Sequence, residues 1–335
     1  MRRIGLAVAL AFSLLLALLA GWGQETAKVP RVGVLLLDTE GLGLSQDARY
    51  VVDGLRELGW IDTRNITLRF KFAGLSEERL TRMAEELVRE KVDLIVAVAT
   101  SPTRAAQRAT TSIPIVMAGT SDPVAAGFVK NLARPDGNIT GTSLLQNTEL
   151  GGKRLELLKE AVPNLVRVAV LYDSDLGAAL GRTSAQIQAD LQAEASRIGM
   201  NLRAATPFRG IAALPAQFAQ IRAARVGALF VWPSPPIDEA RSKIAELALK
   251  ERLPTVCGFR EYVEAGGLMS YGANLGAVHR RAAAYVDRIL KGARPADLPI
   301  EQATTFELVI NLKTAKTLGL TIPQTLRLQA SQLIE

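Results

Sequence analysis

The run Leu94-Ile95-Val96-Ala97-Val98, with the residues that follow it, constrains the fold of this chain more than any other stretch. An apolar, β-branched run that short, bounded by turn residues, reads as a buried parallel strand. Thr100-Ser101-Pro102 then opens an Ala-rich helix, with Ser101 or Thr100 as its cap and Pro102 in its first turn. Ile113 to Ala118 is the next strand, and Gly119-Thr120-Ser121-Asp122-Pro123 repeats the device before a second helix. Two adjacent strands therefore end in polar turns and free helix N-termini. In an open α/β sheet that is the carboxyl edge, where ligands bind. Many such turns only cap a helix, so the rest of the chain has to decide between the two roles.

The same rhythm runs through the whole sequence. Val32 to Leu37 is a first strand, ending at Asp38-Thr39-Glu40, and a helix from Asp47 to Leu58 is closed by Gly59. Asn65 to Phe72 is a strand, and Glu77 to Lys91 a helix with Leu80, Met83, Ala84, Leu87 and Val88 on one stripe. This β-α-β-α succession predicts a parallel, doubly wound sheet. Pro135-Asp136-Gly137 is a turn that breaks the rhythm, and Asn138 to Ser143 leads out of the first lobe. The pattern restarts with a helix from Glu149 to Ala161 and the strand Val168 to Tyr172, which ends in Asp173-Ser174-Asp175. A long helix, a strand at Asn201 to Ala205 and a helix around Pro215 to Ala224 come next. Ala228 to Trp232 is a strand ending at Pro233-Ser234-Pro235-Pro236, with a helix from about Asp238 to Arg252 behind it. Gly266 to Gly272 is a strand, Leu275 to Lys291 an amphipathic helix, and Ala303 to Leu320 a strand and a helix ending at Gly319. Two similar α/β lobes with chain crossing between them imply a cleft that both carboxyl edges face.

The N-terminus is a positive Met1-Arg2-Arg3, an uncharged run from Ile4 to Ala20, and a small-x-small Gly21-Trp22-Gly23. That is the pattern of a signal peptide spanning residues 1–23, at the short end for a bilayer span. The expected mature N-terminus lies between Gly21 and Thr26. No cysteine lies near the site to carry a lipid, so the mature protein is expected to be soluble in the periplasm. Removing Arg2 and Arg3 takes the formal charge from +7 to +5, and no basic run with interleaved aromatics points to nucleic acid. Cys257, the one cysteine, leaves no disulfide, so the core must carry the fold. His279, the one histidine, is expected mid-helix, away from any strand end and with no cysteine cluster to help it, so neither a zinc site nor a Ser-His triad is expected. The glycines after the first strand do not fit a dinucleotide fingerprint, and no G-x-S-x-G elbow is present. No cofactor is expected.

Three segments carry a resemblance: Arg134-Pro135-Asp136-Gly137-Asn138-Ile139-Thr140-Gly141, Tyr262-Val263-Glu264-Ala265-Gly266-Gly267-Leu268-Met269-Ser270-Tyr271-Gly272, and Phe306 to Lys316, FELVINLKTAK. Together they closely resemble the ABC-transporter substrate-binding proteins of the tryptophan/tyrosine-permease type, within the type I periplasmic binding proteins. The similarity covers essentially the whole mature chain. It implies two Rossmann-like lobes, parallel sheets flanked by helices, joined by three crossings at Asn138 to Ser143, Ser270 to Ala273 and near Gln302 to Thr305. Residues 29–142 and 275–300 would form the N-terminal lobe, and residues 143–274 and 301–335 the C-terminal lobe. The implied role is that of a monomeric, non-catalytic receptor. It would close on a small molecule, an aromatic or other amino acid, and present it to an inner-membrane ABC permease with its ATPase subunit. A ligand sensor working with a separate signalling partner, and a two-lobed α/β enzyme, are the alternatives.

An amino-acid zwitterion needs donors for its carboxylate and acceptors for its ammonium. Ser101 and the N–H groups behind it suit the carboxylate, and Thr120 adds a hydroxyl. Asp122 is either the ammonium acceptor or an ordinary cap before Pro123. Asp38 and Thr39 stand at the first strand end, as site or as plain loop, and Asp173 and Ser174 match them on the other lobe. Trp232 either stacks on a ring or covers the core, and Ser234 ends the same strand. Phe259 and Tyr262 follow Cys257; Tyr271 stands beside a crossing, for ring contact or hinge packing. Aromatic residues make up only 5% of the chain, so their gathering at strand ends carries weight.

Overall fold

The computed structural model describes residues 28–37, 44–74, 76–144, 148–173 and 183–335. Asp38, Thr39, Ser174 and the leader 1–23 lie outside the described residues. In chain order the elements are β1 (Arg31–Leu36), α1 (Gln46–Glu57), β2 (Thr67–Phe72), α2 (Glu77–Arg89), β3 (Leu94–Val98), α3 (Thr100–Ala109), β4 (Ile115–Thr120) and β5 (Ile139–Ser143). Then come α4 (Thr148–Ala161), β6 (Arg167–Asp173), α5 (Ser184–Arg197), β7 (Asn201–Phe208), α6 (Leu214–Ala223), β8 (Ala228–Val231), α7 (Pro235–Glu239) and α8 (Arg241–Lys250). The chain closes with β9 (Thr255–Cys257), α9 (Arg260–Glu264), β10 (Met269–Ala273), α10 (Leu275–Leu290), β11 (Glu301–Gln302), β12 (Phe306–Asn311), α11 (Leu312–Leu318), α12 (Gln324–Gln329) and β13 (Gln332–Ile334).

Two sheets organise these elements. The first runs β11-β5-β4-β3-β1-β2 and is parallel throughout. The second runs β13-β12-β10-β9-β8-β6-β7, parallel except where β12 pairs antiparallel with β10. Strand order reverses between β1 and β3 in one lobe and between β6 and β8 in the other. The crevice at such a reversal, beyond the carboxyl ends, is where open α/β sheets hold ligands.

Strand alternation builds a core on each face of each sheet. On the first, Val34, Val96 and Val116 pack against Val51 and Leu55 of α1 and Ala282 and Val286 of α10. Their neighbours Leu35, Ile95 and Ile115 pack the other way, against Leu80 and Leu87 of α2 and Ala106 of α3. On the second sheet, Val170, Phe230 and Trp232 face Leu158 of α4 and Leu191 of α5. Leu171, Leu229 and Val231 face Phe218 of α6 and Ile244 of α8. Thus α10, although it follows β10 of the second sheet, packs on the first. A fifth cluster joins the lobes: Leu144 and Val278 meet Phe259, Ala273 and Leu275, with Tyr50 and Phe306 against them.

Three local expectations are corrected. Neither Thr100 nor Ser101 caps α3; the cap position is Ala99, at φ +74°, with no side-chain hydrogen bond. Its own N–H donates to Ala118 O at 2.9 Å, so strand pairing holds that conformation. No helix follows Asp122: the chain makes turns from Pro123 and reverses at Gly127, φ +72°. The helix expected from Asp238 to Arg252 is two, α7 and α8, separated at Ala240, because the prolines 235 and 236 start a short helix of their own.

Candidate functional site

Residues just beyond the carboxyl ends of the two sheets pack together, Leu144 after β5 with Phe259 after β9. On the first lobe the start of α3 carries no side-chain cap, so its first-turn N–H groups stay available to an anion. Thr100 Oγ1 accepts from the N–H of Ser121 at 3.3 Å and ties the β3 edge to the β4 edge. Ser101 is half-buried at that helix start. Thr120 is 0% exposed, and its hydroxyl lies 3.3 Å from that of Thr103, which itself donates to Ala99 O. Asp122 Oδ1 accepts from the N–H groups of both Val124 and Ala125 at 3.0 Å, so one oxygen caps the local turn.

His279 belongs to the second turn of α10 and reaches a strand end, contrary to the sequence expectation. It is 2% exposed, and a Cβ placed on Gly119 would come within 2.9 Å of its Nε2. Its Nδ1 lies 3.5 Å from Asp47 Oδ1, in the first turn of α1. One turn further along α1, Tyr50 receives a hydrogen bond from Gln46 Nε2 at 2.7 Å and lies under the Arg280 guanidinium.

The Tyr50 hydroxyl then crosses to the second lobe and donates to Glu261 Oε1 at 3.3 Å. Glu261 is 7% exposed, and its Oε2 is buried without a partner. Burial above all, then the charges of Asp47 and Glu264, push its carboxyl up to about 7; its own backbone N–H and Tyr50 oppose this. Asp238 of α7 is raised well above the usual carboxylate range by burial, then by Asp47 and Glu261, with Arg241 opposing. The charge of Asp47 on one lobe thus acts on both acids of the other.

The remaining sequence candidates divide. Phe259 is buried in the cluster that joins the lobes, and Tyr271 is half-buried with its ring 6.1 Å from that of Phe306. Ser234 Oγ is buried without a partner at the start of α7. Asp173 ends β6 and is half-buried. Trp232 is 1% exposed and packs with Phe230 and against Gly151 of α4, so its ring fills the core. Tyr262 is likewise buried in the core, under α8.

Sequence reasoning missed Asp47, Tyr50, Asp238, Glu261 and also Arg154. Arg154 is 0% exposed; its Nε donates to Tyr271 O at 2.7 Å, and both terminal nitrogens are buried without partners, Nη2 beside Gly258 and Gly272. Burial first of all lowers its pKa to about 10, so it stays charged at neutral pH and braces the β10 crossing. Only glycine fits that crossing at position 272, because a Cβ there would overlap the Gly258 carbonyl. A charge on the apolar stripe of α4 was the signal available for Arg154. A groove of about 570 Å³ along β2 and one of about 420 Å³ around Lys28, Asp93 and Pro114 are lined by none of these residues.

The sequence model of the family described as ABC transporter substrate binding protein matches residues 32–334. A tyrosine-binding protein of Clostridioides difficile strain R20291 is 25% identical over 296 residues, 88% of this chain and 83% of its own length. A conserved domain protein of Vibrio cholerae has a similar structure: TM-score 0.81, 27% identity, 91% of this chain and 100% of that one. A Streptococcus pneumoniae ABC domain in complex with L-Trp gives TM-score 0.78 at 27% identity, over 91% and 99% of the two chains. The ligand-free, open structure of a Clostridium difficile substrate-binding protein covers the same shares at 25% identity, with TM-score 0.64.

Proposed function

From the premise that this chain belongs to the ABC transporter substrate-binding proteins, a non-enzymatic family, we propose that it holds a small molecule, an aromatic or other amino acid, between its lobes. The observation that carries this is the makeup of the cleft. The uncapped start of α3 offers N–H groups to a carboxylate. Tyr50, Phe259, Tyr271 and Phe306 gather apolar surface near the carboxyl edges. The L-Trp complex and the tyrosine-binding relative support an aromatic amino acid. Residues 29–142 with 275–300, and 143–274 with 301–335, act as the two closing bodies, and the crossings are the hinge. Export through the 1–23 leader delivers the protein to the periplasm, where it works as a monomer with an inner-membrane ABC permease and its ATPase. Among the described residues no helix is long and apolar enough to cross a membrane.

A thermal-shift screen of the mature protein against the amino acids tests the reading. A ligand at a hundredfold excess over its Kd should stabilise the protein by about 2.7 kcal/mol. Silence from every amino acid, with a shift from sugars or nucleotides, would refute the proposed ligand class. Mass spectrometry of the protein from its host should find an N-terminus between Gly21 and Thr26; an intact Met1 would refute the leader.

A further inference from the structure

We propose that Asp47, Asp238 and Glu261 together seat a protonated amine, so that the solute held between the lobes enters with its ammonium group toward this cluster. The inference rests on the cleft being the solute site. Asp47 comes from the first turn of α1 on one lobe; Asp238 and Glu261 come from α7 and α9 on the other. A cation placed among them is gripped from both sides, which links binding to closure.

The one basic side chain that reaches this seat is His279, whose Nδ1 lies 3.5 Å from Asp47 Oδ1. Among the described residues no lysine or arginine forms an ion pair with any of the three acids. Arg241 donates to the backbone carbonyl of Asp238, at 2.7 Å. Arg260 pairs with Glu264 and Glu307, and Arg280 pairs with Glu57 while covering Tyr50. Glu261 Oε2 is the independent sign of a missing donor. It is a buried carboxylate oxygen with nothing to accept from, on a side chain whose other oxygen is fixed by Tyr50. An unmet buried acceptor is costly, and an N–H⁺ group would satisfy it. Burial is the first cause of the raised Asp238 and Glu261 carboxyls, and the charge of Asp47 adds to both. Among the described residues no three such side chains converge as metal ligands. A spread set of carboxylates suits a molecular cation with several N–H donors better than a small ion that needs a tight shell.

The ammonium can belong to an amino acid or to a plain amine, and calorimetric titration separates the two. The probes are the common amino acids, tyramine, tryptamine, putrescine and the des-amino acid 3-(4-hydroxyphenyl)propanoate. With wild type, L-tyrosine should bind about tenfold to a hundredfold more tightly than its des-amino analogue, one charged hydrogen bond's worth. Glu261→Gln, an isostere, should lose a similar factor for L-tyrosine and little for the des-amino acid; Asp47→Asn should act in the same direction. Melting curves of both variants confirm that they are folded. If no amino acid binds but tyramine, tryptamine or putrescine does, and Glu261→Gln weakens it, the ammonium seat stands and the amino-acid reading fails. If L-tyrosine and its des-amino analogue bind alike, or Glu261→Gln binds L-tyrosine as wild type does, the seat is overturned while the amino-acid reading survives. Binding confined to neutral or anionic probes also overturns it.

Discussion

Replacing Glu261 by Gln should stabilise the ligand-free protein at alkaline pH and leave it unchanged at acid pH. In the folded chain the Glu261 carboxyl is raised from its ordinary 4.5 to about 7, chiefly by burial and then by Asp47 and Glu264. A raised acid holds its proton in the fold longer than in the unfolded chain. Its contribution is therefore fully present below about pH 4.5 and is lost as pH rises through about 7. The difference of 2.5 units, from 4.5 to about 7, corresponds to about 3 kcal/mol at 1.36 kcal/mol per unit. The amide has no proton to lose and its oxygen still accepts from Tyr50. Glu261→Gln should thus match wild type near about pH 4.5 and gain about 3 kcal/mol near about pH 8. At roughly 2–4 °C per kcal/mol for a domain of this size, the melting temperature should rise by roughly 6–12 °C. Calorimetric melts of both proteins at the two pH values measure this. An equal gap at both pH values, or a variant less stable than wild type at the higher one, would refute the electrostatic reasoning.

Other outcomes follow from single side chains. Trp232→Ala should cost about 3–5 kcal/mol through the cavity it leaves and barely change ligand affinity, since the ring packs on Phe230 and α4; denaturation and titration check both halves. Asp122→Ala should cost about 1 kcal/mol, as the loss of a cap does, with affinity for L-tyrosine unchanged; a fall in affinity would restore Asp122 to the site. Burial and then Asp238 push the Cys257 thiol up to about 12, so Ellman's reagent should label it only after unfolding.

Much of the fold could be read from the sequence because each parallel strand is a short apolar run. Leu94 to Val98 and Ile115 to Thr120 are buried throughout, as strands covered on both faces must be. The same fact leaves both roles of Trp232 open in the sequence. At the end of a doubly covered strand, alternation points a side chain into one helix layer or the other, and Trp232 follows Phe230 inward. Local signals also overstate helix starts. Pro123 promises a helix, but Gly127 takes a positive φ and turns the chain away. Thr100 and Ser101 look like caps, yet Ala99 holds that position because its N–H is paired to β4. The acid cluster could not be read at all. Tyr50 and Glu261 are 211 residues apart and meet only because α1 of one lobe faces α9 of the other. His279 was misplaced for the same reason: α10 follows a strand of the second sheet but packs on the first, which carries the imidazole to the end of β4.

Hydrogen–deuterium exchange with and without L-tyrosine or L-tryptophan tests most directly whether the solute sits between the lobes. The account predicts slower exchange on both carboxyl edges at once: at 99–104 and 119–121 on the first lobe, and at 232–239 and 258–264 on the second. Unchanged exchange there, with protection confined to one lobe or to the grooves around Lys28 and Asp93 or along β2, would contradict it.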